Sequence, residues 1–183
     1  MGLDMYFERR HSVHNWKYTP PDERYTIEIS RGGKVVPKTE IDPASITSII
    51  EDAGYWRKAN AIHQWFVENV QDGNDDCKEY RVSTEKMREL LARVNKVLAA
   101  SELVPGKVQN GYTFKDGKEV PILVDGKRIK DPTVAKELLP TQEGFFFGGT
   151  YYDQWYVEDL ERTKEILEEA LARPGNYYYG SSW

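Results

Sequence analysis

One stretch of the chain, from Tyr55 to Glu79, holds the highest density of side chains that could perform chemistry. It contains one imidazole and several carboxylates, the groups that hold a metal ion and activate a bound water for hydrolysis. The candidate catalytic set for a metal-assisted hydrolase or nuclease is His63, Asp75, Asp76 and Glu79. The same pattern also fits a boundary helix whose His63 hydrogen-bonds a neighbouring strand, because no base or nucleophile adjoins it in the sequence.

A short acidic run within this stretch alternates oxygen-bearing side chains. Asp72, Asn74 and Asp76 match positions one, three and five of a calcium-binding loop. The full motif fails, because Cys77 stands where the loop requires glycine and Ser83 stands where it requires glutamate. The first three residues remain candidate ligands for a looser Mg²⁺ or Ca²⁺ site, and the alternative is an acidic turn after a helix.

The same stretch also offers groups that bind an anion. Arg57 and Lys58 precede a predicted helix, whose first backbone N–H groups can bind a phosphate. Asn60 and His63 lie three residues apart, so both side chains could reach one ligand. With the turn at Gly148-Gly149-Thr150, these groups suggest a protein that sequesters a nucleotide, although that turn lacks the lysine of a P-loop.

Residues 106–130 differ from the rest of the chain in charge and in turn content. The dipeptides Asn110-Gly111, Asp116-Gly117 and Asp125-Gly126 are typical of tight hairpin turns and separate short strand-like runs. They predict a β-hairpin or small meander, in which Pro121 places the longest run at a sheet edge. Six basic and three acidic residues give this segment a charge of +3, so the remainder of a chain with net charge −5 carries −8.

This segment is the candidate surface for RNA or for a protein partner. Lysine and arginine contact phosphates, and aromatic rings stack on bases. The candidate contact residues are Lys107, Tyr112, Phe114, Lys115, Lys118, Lys127, Arg128 and Lys130. Lysines are equally typical of edge strands that avoid aggregation. The charge alone therefore does not distinguish a binding surface from a protected sheet edge.

Composition indicates one globular domain spanning residues 1–183. Hydrophobic residues make up 39% of the chain and charged residues 30%. The single cysteine, Cys77, excludes an internal disulfide and a cysteine-based zinc site, and it favours a reducing compartment. The acidic net charge disfavours a generic nucleic-acid binder. The first residues lack the pattern of a signal peptide and no run reaches 18 apolar residues, so we expect a cytoplasmic protein without a membrane partner.

The order of the predicted elements is typical of an α+β fold, with an antiparallel or mixed sheet packed against three to four helices. In the first third, we predict strands at residues 3–9, at Tyr25–Ile29 and at Val35-Val36, a loop at residues 10–23 and a turn at Gly32-Gly33. Residues 46–53 fit either a helix or a strand. Their β-branched side chains favour a strand, which we expect to end at Gly54.

Apolar residues at helical spacing predict the helices that follow. The predicted helix at residues 58–71 has Gly73 as its C-terminal cap, and Ser83 caps the next helix. That second helix carries the clearest apolar stripe of the chain, made of Met87, Leu90, Leu91, Val94, Val97 and Leu98.

The last third of the chain predicts two helices and one strand. Asp131-Pro132 begins a short helix that reaches Leu139, and Gly144–Gly148 is predicted as a buried strand. Thr150 has the spacing of a capping box for the last helix, which Pro174-Gly175 ends. We expect the tail at residues 176–183 to be loose.

Three runs of sequence together resemble a known family. They are Met-Gly-Leu-Asp-Met-Tyr at the start, Gly54-Tyr-Trp-Arg-Lys-Ala-Asn-Ala-Ile-His63, and Gly144-Phe-Phe-Phe-Gly148 followed by Tyr152-Asp153. The chain resembles a family of small, uncharacterised proteins encoded by phages and mobile elements of Gram-positive bacteria. The resemblance covers most of the chain and assigns no catalytic residue. In that family the helix ending near Ala100 leads directly to Leu138-Leu139-Pro140, which implies that the hairpin at residues 106–130 is an insertion.

The resemblance also implies a function, because small acidic phage proteins include anti-CRISPR proteins. It points to an anti-defence protein, similar to a type II-A anti-CRISPR protein, in the cytoplasm of the bacterial host. The expected partners are Cas9 and its guide RNA, with the inserted hairpin contacting the RNA or the nuclease. The metal-assisted hydrolase and the nucleotide-sequestering protein are the alternatives.

Overall fold

A computed structural model describes residues 2–115, 118–144 and 147–183, with backbone alone at residues 118 and 119. The α+β prediction is confirmed, because the described residues form antiparallel sheets and four α-helices. The strands are β1 (Asp4–Ser12), β2 (Ser30–Arg31), β3 (Lys34–Val35), β4 (Ser48–Arg57), β5 (Tyr80–Val82), β6 (Leu103–Lys115), β7 (Lys118–Ile129) and β8 (Asn176–Ser182). The α-helices are α1 (Asn60–Asn69), α2 (Thr84–Ala100), α3 (Thr133–Leu138) and α4 (Gln154–Ala172). None of the helices in the described part is long and apolar enough to cross a membrane.

The main sheet has four strands in the order β4-β1-β8-β5, and every neighbouring pair is antiparallel. Alternate residues of a strand face opposite sides, so one side can be buried while the other stays open. Met5 and Phe7 of β1 and Tyr177 and Tyr179 of β8 are buried on one side, within a core that the apolar faces of α1, α2 and α4 complete.

The C-terminal tail is not loose, and this prediction was wrong. Residues 176–182 form β8, which pairs with β1 on one edge and with β5 on the other. Tyr179 is fully buried and stacks on Phe66 of α1 with ring centroids 3.9 Å apart. The short tail therefore lies in the middle of the sheet, and its stability comes from the two strands that flank it.

The predicted half-buried strand at Tyr25–Ile29 was also wrong. These residues form no strand and are largely exposed, since no neighbouring strand is available to pair with them. The turn at Gly32-Gly33 is confirmed, with both glycines at positive φ, but it joins only the two-residue strands β2 and β3. The loop predicted from Arg10 begins later, because β1 extends through Ser12.

Strand β4 confirms the preference for a strand over a helix in residues 46–53. Gly54 does not end it, because pairing with β1 continues to Arg57. The register shifts between Phe7 and Glu8, where Gly54 and Asp52 are the successive partners, and this marks a bulge in β4. A Cβ on Gly54 would lie 2.6 Å from Cγ2 of Ile166, so glycine lets α4 pack closely on the strand.

Helices α1 and α2 confirm the predictions made from apolar spacing. Ser83 caps α2 by accepting a hydrogen bond from the backbone N–H of Lys86, and the predicted stripe of α2 faces the core. Helix α1 begins at Asn60 rather than at residue 58, because Lys58 has φ of +62° and lies outside the helical region. Gly73 follows α1 at φ of +79° and donates a hydrogen bond to the carbonyl of Val67.

Two predictions in the last third required correction. The cap of α4 is Asp153, whose Oδ1 accepts hydrogen bonds from the N–H groups of Trp155 and Tyr156, so Thr150 does not cap this helix. Residues 141–144 and 147–150 are irregular, which contradicts the predicted strand there. Phe145 and Phe146, the centre of that prediction, lie outside the described residues. The short helix predicted before Leu139 is confirmed as α3.

Candidate functional site

The predicted hairpin is a separate two-stranded sheet made of β6 and β7. Its pairing runs from Leu103 opposite Ile129 to Lys115 opposite Lys118, so the predicted β-hairpin is confirmed and is slightly longer than residues 106–130. Gly106 and Gly126 face each other inside the sheet, and Gly111 lies at a register shift in β6. The dipeptides at 110–111 and 125–126 are therefore not turns. The third, Asp116-Gly117, lies outside the described residues.

The root of the hairpin is anchored to the body of the protein. The N–H of Ile129 donates to the carbonyl of Tyr152 at 2.9 Å, and the N–H of Lys127 donates to Oε1 of Gln154 at 2.9 Å. Val108 and Ile129 are buried. The lower part of the hairpin is thus fixed against α4 by both hydrogen bonds and burial.

Beyond the root, the hairpin exposes a set of large apolar side chains. We call this set the distal apolar surface; it consists of Tyr112, Phe114, Val120, Ile122 and Leu123. Phe114 is the most exposed of them, at 72%. Cross-strand pairing and alternation put Tyr112, Phe114 and Leu123 on one face and Val120 and Ile122 on the other. Both faces of the distal hairpin are therefore apolar, which is unusual for residues in contact with water.

The charges of the hairpin are partly neutralised within the chain. Lys107 pairs with Asp125 across the strands at 2.7 Å, and Lys130 pairs with Glu102 at 3.0 Å. Lys115, Lys127 and Arg128 are exposed. The side chain of Lys118 lies outside the described residues. Two of the predicted phosphate contacts therefore already have carboxylate partners.

His63 lies in a buried hydrogen-bonded chain. Its side chain is 1% exposed, with Nδ1 2.7 Å from the hydroxyl of Tyr179 and Nε2 3.0 Å from Oδ2 of Asp75. The other carboxylate oxygen of Asp75 accepts a hydrogen bond from the indole of Trp183 at 3.0 Å. This arrangement matches the interpretation of His63 as a residue that hydrogen-bonds a neighbouring strand. Burial raises the pKa of Tyr179 well above its usual value, so its hydroxyl stays protonated.

The other members of the predicted catalytic set lie elsewhere. Asp76 accepts a hydrogen bond from Lys78 at 2.6 Å and contacts the hydroxyl of Tyr80, and the hydrogen bond from Lys78 lowers the pKa of Asp76. Glu79 forms an ion pair with Arg10 at 2.6 Å. The structure thus joins His63 to one of its three predicted carboxylate partners.

The acidic run after α1 has the geometry of a turn. Asp72 and Cys77 have positive φ, and the side chain of Asn74 donates to the carbonyl of Gln71. Among the described residues, no group of three or more His, Cys, Asp and Glu side chains is placed to hold a metal ion. The set Asp72, Asn74 and Asp76 includes an amide oxygen and stays a prediction.

The predicted anion site is divided between exposed and structural residues. Arg57 and Lys58 are exposed at the end of β4. Asn60 is buried and fully engaged: its amide nitrogen donates to the carbonyls of Phe147 and Gly149, and its oxygen accepts from the N–H of Gln142. Asn60 therefore fixes Gln142, Phe147 and Gly149 to the start of α1. It is not free to bind a ligand together with His63.

Comparisons with protein-family models, curated proteins and solved structures found no match to this chain. The resemblance to a phage family therefore stays a prediction made from the three sequence runs.

The contact residues predicted from the sequence include only part of the distal apolar surface. The prediction covers the cations and the two aromatic residues of the hairpin, but not Val120, Ile122 and Leu123. The signal was present, since this run is apolar at consecutive positions and a two-stranded sheet has no third strand or helix to cover both faces. Trp183, which binds Asp75, was missed because the tail was expected to be loose.

Proposed function

We propose that this protein is an anti-defence binding protein that inhibits its target by docking the distal apolar surface of the β6–β7 hairpin into a protein pocket. The observation that carries the proposal is the exposure of five large apolar side chains on both faces of one anchored hairpin. Exposed apolar clusters of this kind mark protein interaction sites. Aromatic residues such as Tyr112 and Phe114 are also common energetic centres of interfaces.

A protein pocket fits this surface better than RNA does. Binding to a phosphate backbone requires several cations that are free to release counterions. Two of the hairpin cations, Lys107 and Lys130, are paired with carboxylates, whereas the apolar side chains gain nothing from contact with phosphate. The exposed cations Lys127 and Arg128 instead suit the polar rim that surrounds an apolar interface centre.

The proposed target is Cas9 loaded with guide RNA. The sequence resemblance to phage and mobile-element proteins supports this choice, and so does the inserted position of the hairpin in the chain. An acidic body with a charge of about −8 would be attracted to the basic surface that a nucleic-acid-binding protein presents. The hairpin would then contact the nuclease itself.

The test is co-elution of the purified protein with Cas9, with and without guide RNA, on a sizing column, followed by a DNA cleavage assay. We expect the wild-type protein to co-elute with the nuclease and to protect target DNA. The double variant Tyr112→Ser/Phe114→Ser should lose both effects, since it removes the aromatic part of the distal apolar surface. The matched control Tyr18→Ser/Val35→Ser changes equally exposed apolar side chains outside the hairpin and should behave as wild type.

Absence of co-elution and of protection would reject Cas9 as the target. The role of the hairpin is then tested separately, by capture from host lysate with mass spectrometry. A partner retained by wild type and by the Tyr18→Ser/Val35→Ser control, but lost with the hairpin variant, would support the binding function with another target. Equal capture by all three proteins would overturn the role of the hairpin.

A further inference from the structure

A small open cavity lies at the base of the hairpin, between the start of α1 and the first turns of α4. Its volume is about 90 Å³, more than a single water molecule requires. Gln109 of β6, together with Thr141, Gly149 and Tyr151, closes its remaining sides. The side chains that give it chemical character are those of Tyr151, Asp153, Trp155, Tyr156 and Asp159. The cavity is separate from the distal apolar surface, because none of the five residues of that surface lines it.

The two carboxylates in this cavity differ in their hydrogen bonding. Asp153 is the cap of α4 and accepts from the N–H groups of Trp155 and Tyr156 at 2.9 and 3.2 Å. The carboxylate of Asp159 receives no hydrogen bond from the described residues, although its backbone carbonyl accepts one from Oγ1 of Thr163. The nearby cation Arg162 donates from Nε to the carbonyl of Tyr55 at 2.6 Å. Asp159 is thus a partly buried carboxylate in a cavity whose lining contains no Lys or Arg among the described residues.

Aromatic rings line the mouth of the cavity. Trp155 and Tyr151 are about half exposed, whereas Tyr156 is buried and its hydroxyl donates to the carbonyl of Leu139. Aromatic faces attract cations, and the planar guanidinium group combines stacking on a ring with paired hydrogen bonds to a carboxylate. The combination of an unpaired carboxylate, an open aromatic mouth and this volume complements one planar organic cation.

We propose that the cavity binds a guanidinium group, with Asp159 as its counter-ion and with Trp155 and Tyr151 as the aromatic walls of the site. The group can belong to a small free guanidine or to the arginine side chain of a peptide, and the two sources have the same head-group chemistry. This site goes beyond the proposed function, because it does not involve the distal apolar surface.

The ionisation of Asp159 gives the binding a characteristic pH dependence. Burial is the main cause that raises the pKa of Asp159, to about 7, and the charges of Glu158 and Asp153 add to it while Arg162 opposes it. The facing residues Asn60, Gln109 and Thr141 carry no charge. Since the ionised fraction of such a carboxyl rises from about one tenth at pH 6 to about nine tenths at pH 8, affinity for guanidinium should rise about tenfold.

The experiment is an NMR titration of the Trp155 indole N–H with methylguanidinium chloride, with sodium chloride at equal ionic strength as the reference. We expect a saturable shift that sodium chloride does not cause. Asp159→Asn should weaken binding at least tenfold, and the affinity difference between pH 6 and pH 8 should disappear. Glu158→Gln, which changes the exposed neighbouring acid, should keep the dissociation constant within about twofold.

A second variant and a peptide ligand complete the titration experiment. If Asp159→Asn fails to fold, Trp155→Ala, followed at the Ala61 amide, should weaken binding at least threefold. A short peptide with a single arginine distinguishes the two sources: saturable binding of the peptide assigns the site to arginine side chains, and binding of methylguanidinium alone assigns it to small free guanidines. A shift that never saturates, or one that is unchanged in Asp159→Asn, would overturn the proposal.

Discussion

At the scale of single residues, His63 joins α1 to the central strand of the sheet. The distances of 2.7 Å to Tyr179 and 3.0 Å to Asp75 fit an arrangement in which Nδ1 accepts from the tyrosine hydroxyl and Nε2–H donates to the carboxylate. Both ring nitrogens are then satisfied inside the protein. This explains how a polar ring can occupy a position that is 1% exposed.

The first prediction concerns this buried chain. Tyr179→Phe removes the donor to His63 and leaves a buried nitrogen without a partner, which should lower the free energy of unfolding by about 1–3 kcal/mol. Chemical denaturation followed by circular dichroism measures the change. Tyr178→Phe, in the same strand but only partly buried, is the control and should change the stability by less than about 0.5 kcal/mol. Equal losses in the two variants would contradict this role for His63.

The second prediction concerns the dependence of stability on pH at Asp159. Its pKa is about 7 in the folded protein, against an unfolded value of 3.8. Folding thus favours the protonated carboxyl of Asp159. The contribution of this group to the free energy of unfolding is complete below pH 3.8 and is lost as pH rises through 7. The loss amounts to at most about 1.4 kcal/mol per pH unit.

Asp159→Asn removes this titration while keeping a similar shape. We therefore expect the variant to gain stability relative to wild type as pH rises from 5 to 8, measured by urea denaturation at each pH. Glu158→Gln should show no such trend. A stability difference that is independent of pH would contradict a buried, titrating Asp159.

The sequence favours a structural role for His63 over a catalytic role. The absence of an adjacent base favoured a hydrogen bond to a neighbouring strand, and the contact with Tyr179 of β8 confirms it. The contact with Tyr179 spans 116 positions of the chain. Local spacing carries no information on such a contact, so neither Tyr179 nor Trp183 could be assigned to the site beforehand.

At the scale of elements, local sequence patterns predicted correctly those elements whose structure depends on residues within the element itself. The apolar stripe of α2 and its Ser83 cap were predictable because both follow from helical spacing and local hydrogen bonding. Tyr25–Ile29 and β8 were mispredicted because a strand exists only with a partner. The first alternates apolar and polar residues but pairs with no strand among the described residues, whereas β8 pairs with two strands from distant parts of the chain.

The third prediction treats the distal hairpin as an addition that the fold does not require. Val108 and Val124 face each other across β6 and β7, so residues 109–123 can be replaced by an Asn-Gly turn at that point. Because the apolar side chains removed are exposed, we expect the melting temperature to stay within about 5 °C of wild type. Binding of the partner should be lost.

Differential scanning calorimetry and the co-elution assay provide the two measurements for this shortened variant. Full partner binding by a folded, shortened protein would contradict the assignment of the binding site. Unfolding of the variant would instead show that the distal hairpin is part of the folding unit.

At the scale of the whole molecule, the chain closes its sheet only with its last residues. β8 lies between β1 and β5 and places Tyr177 and Tyr179 in the core. The first and last strands of the sequence are therefore direct neighbours, as shown by the pairing of Asp4 with Ser182. A fold with such distant pairings depends on β8 for its stability.

The fourth prediction follows from this closure. Truncation after Gly175 removes β8 and should abolish cooperative unfolding, since a central strand and two fully or nearly fully buried tyrosines are lost. Removal of Trp183 alone is the matched control and should leave a folded protein, because this residue is half exposed and contributes one hydrogen bond to Asp75. Thermal unfolding by circular dichroism measures both. A cooperative transition in the first variant would show that the sheet is stable without β8.

The central claim, that the distal apolar surface is the recognition site, is tested most directly by measuring the dissociation constant of the partner complex at low and at high salt. Phe114→Ser/Ile122→Ser is compared with Lys127→Gln/Arg128→Gln. We predict that the serine variant loses at least about 30-fold in affinity, equivalent to about 2 kcal/mol, whereas the glutamine variant keeps most of its affinity at both salt concentrations. Unchanged affinity in the serine variant, with loss in the glutamine variant and a steep dependence on salt, would contradict the claim and would indicate binding to a phosphate backbone.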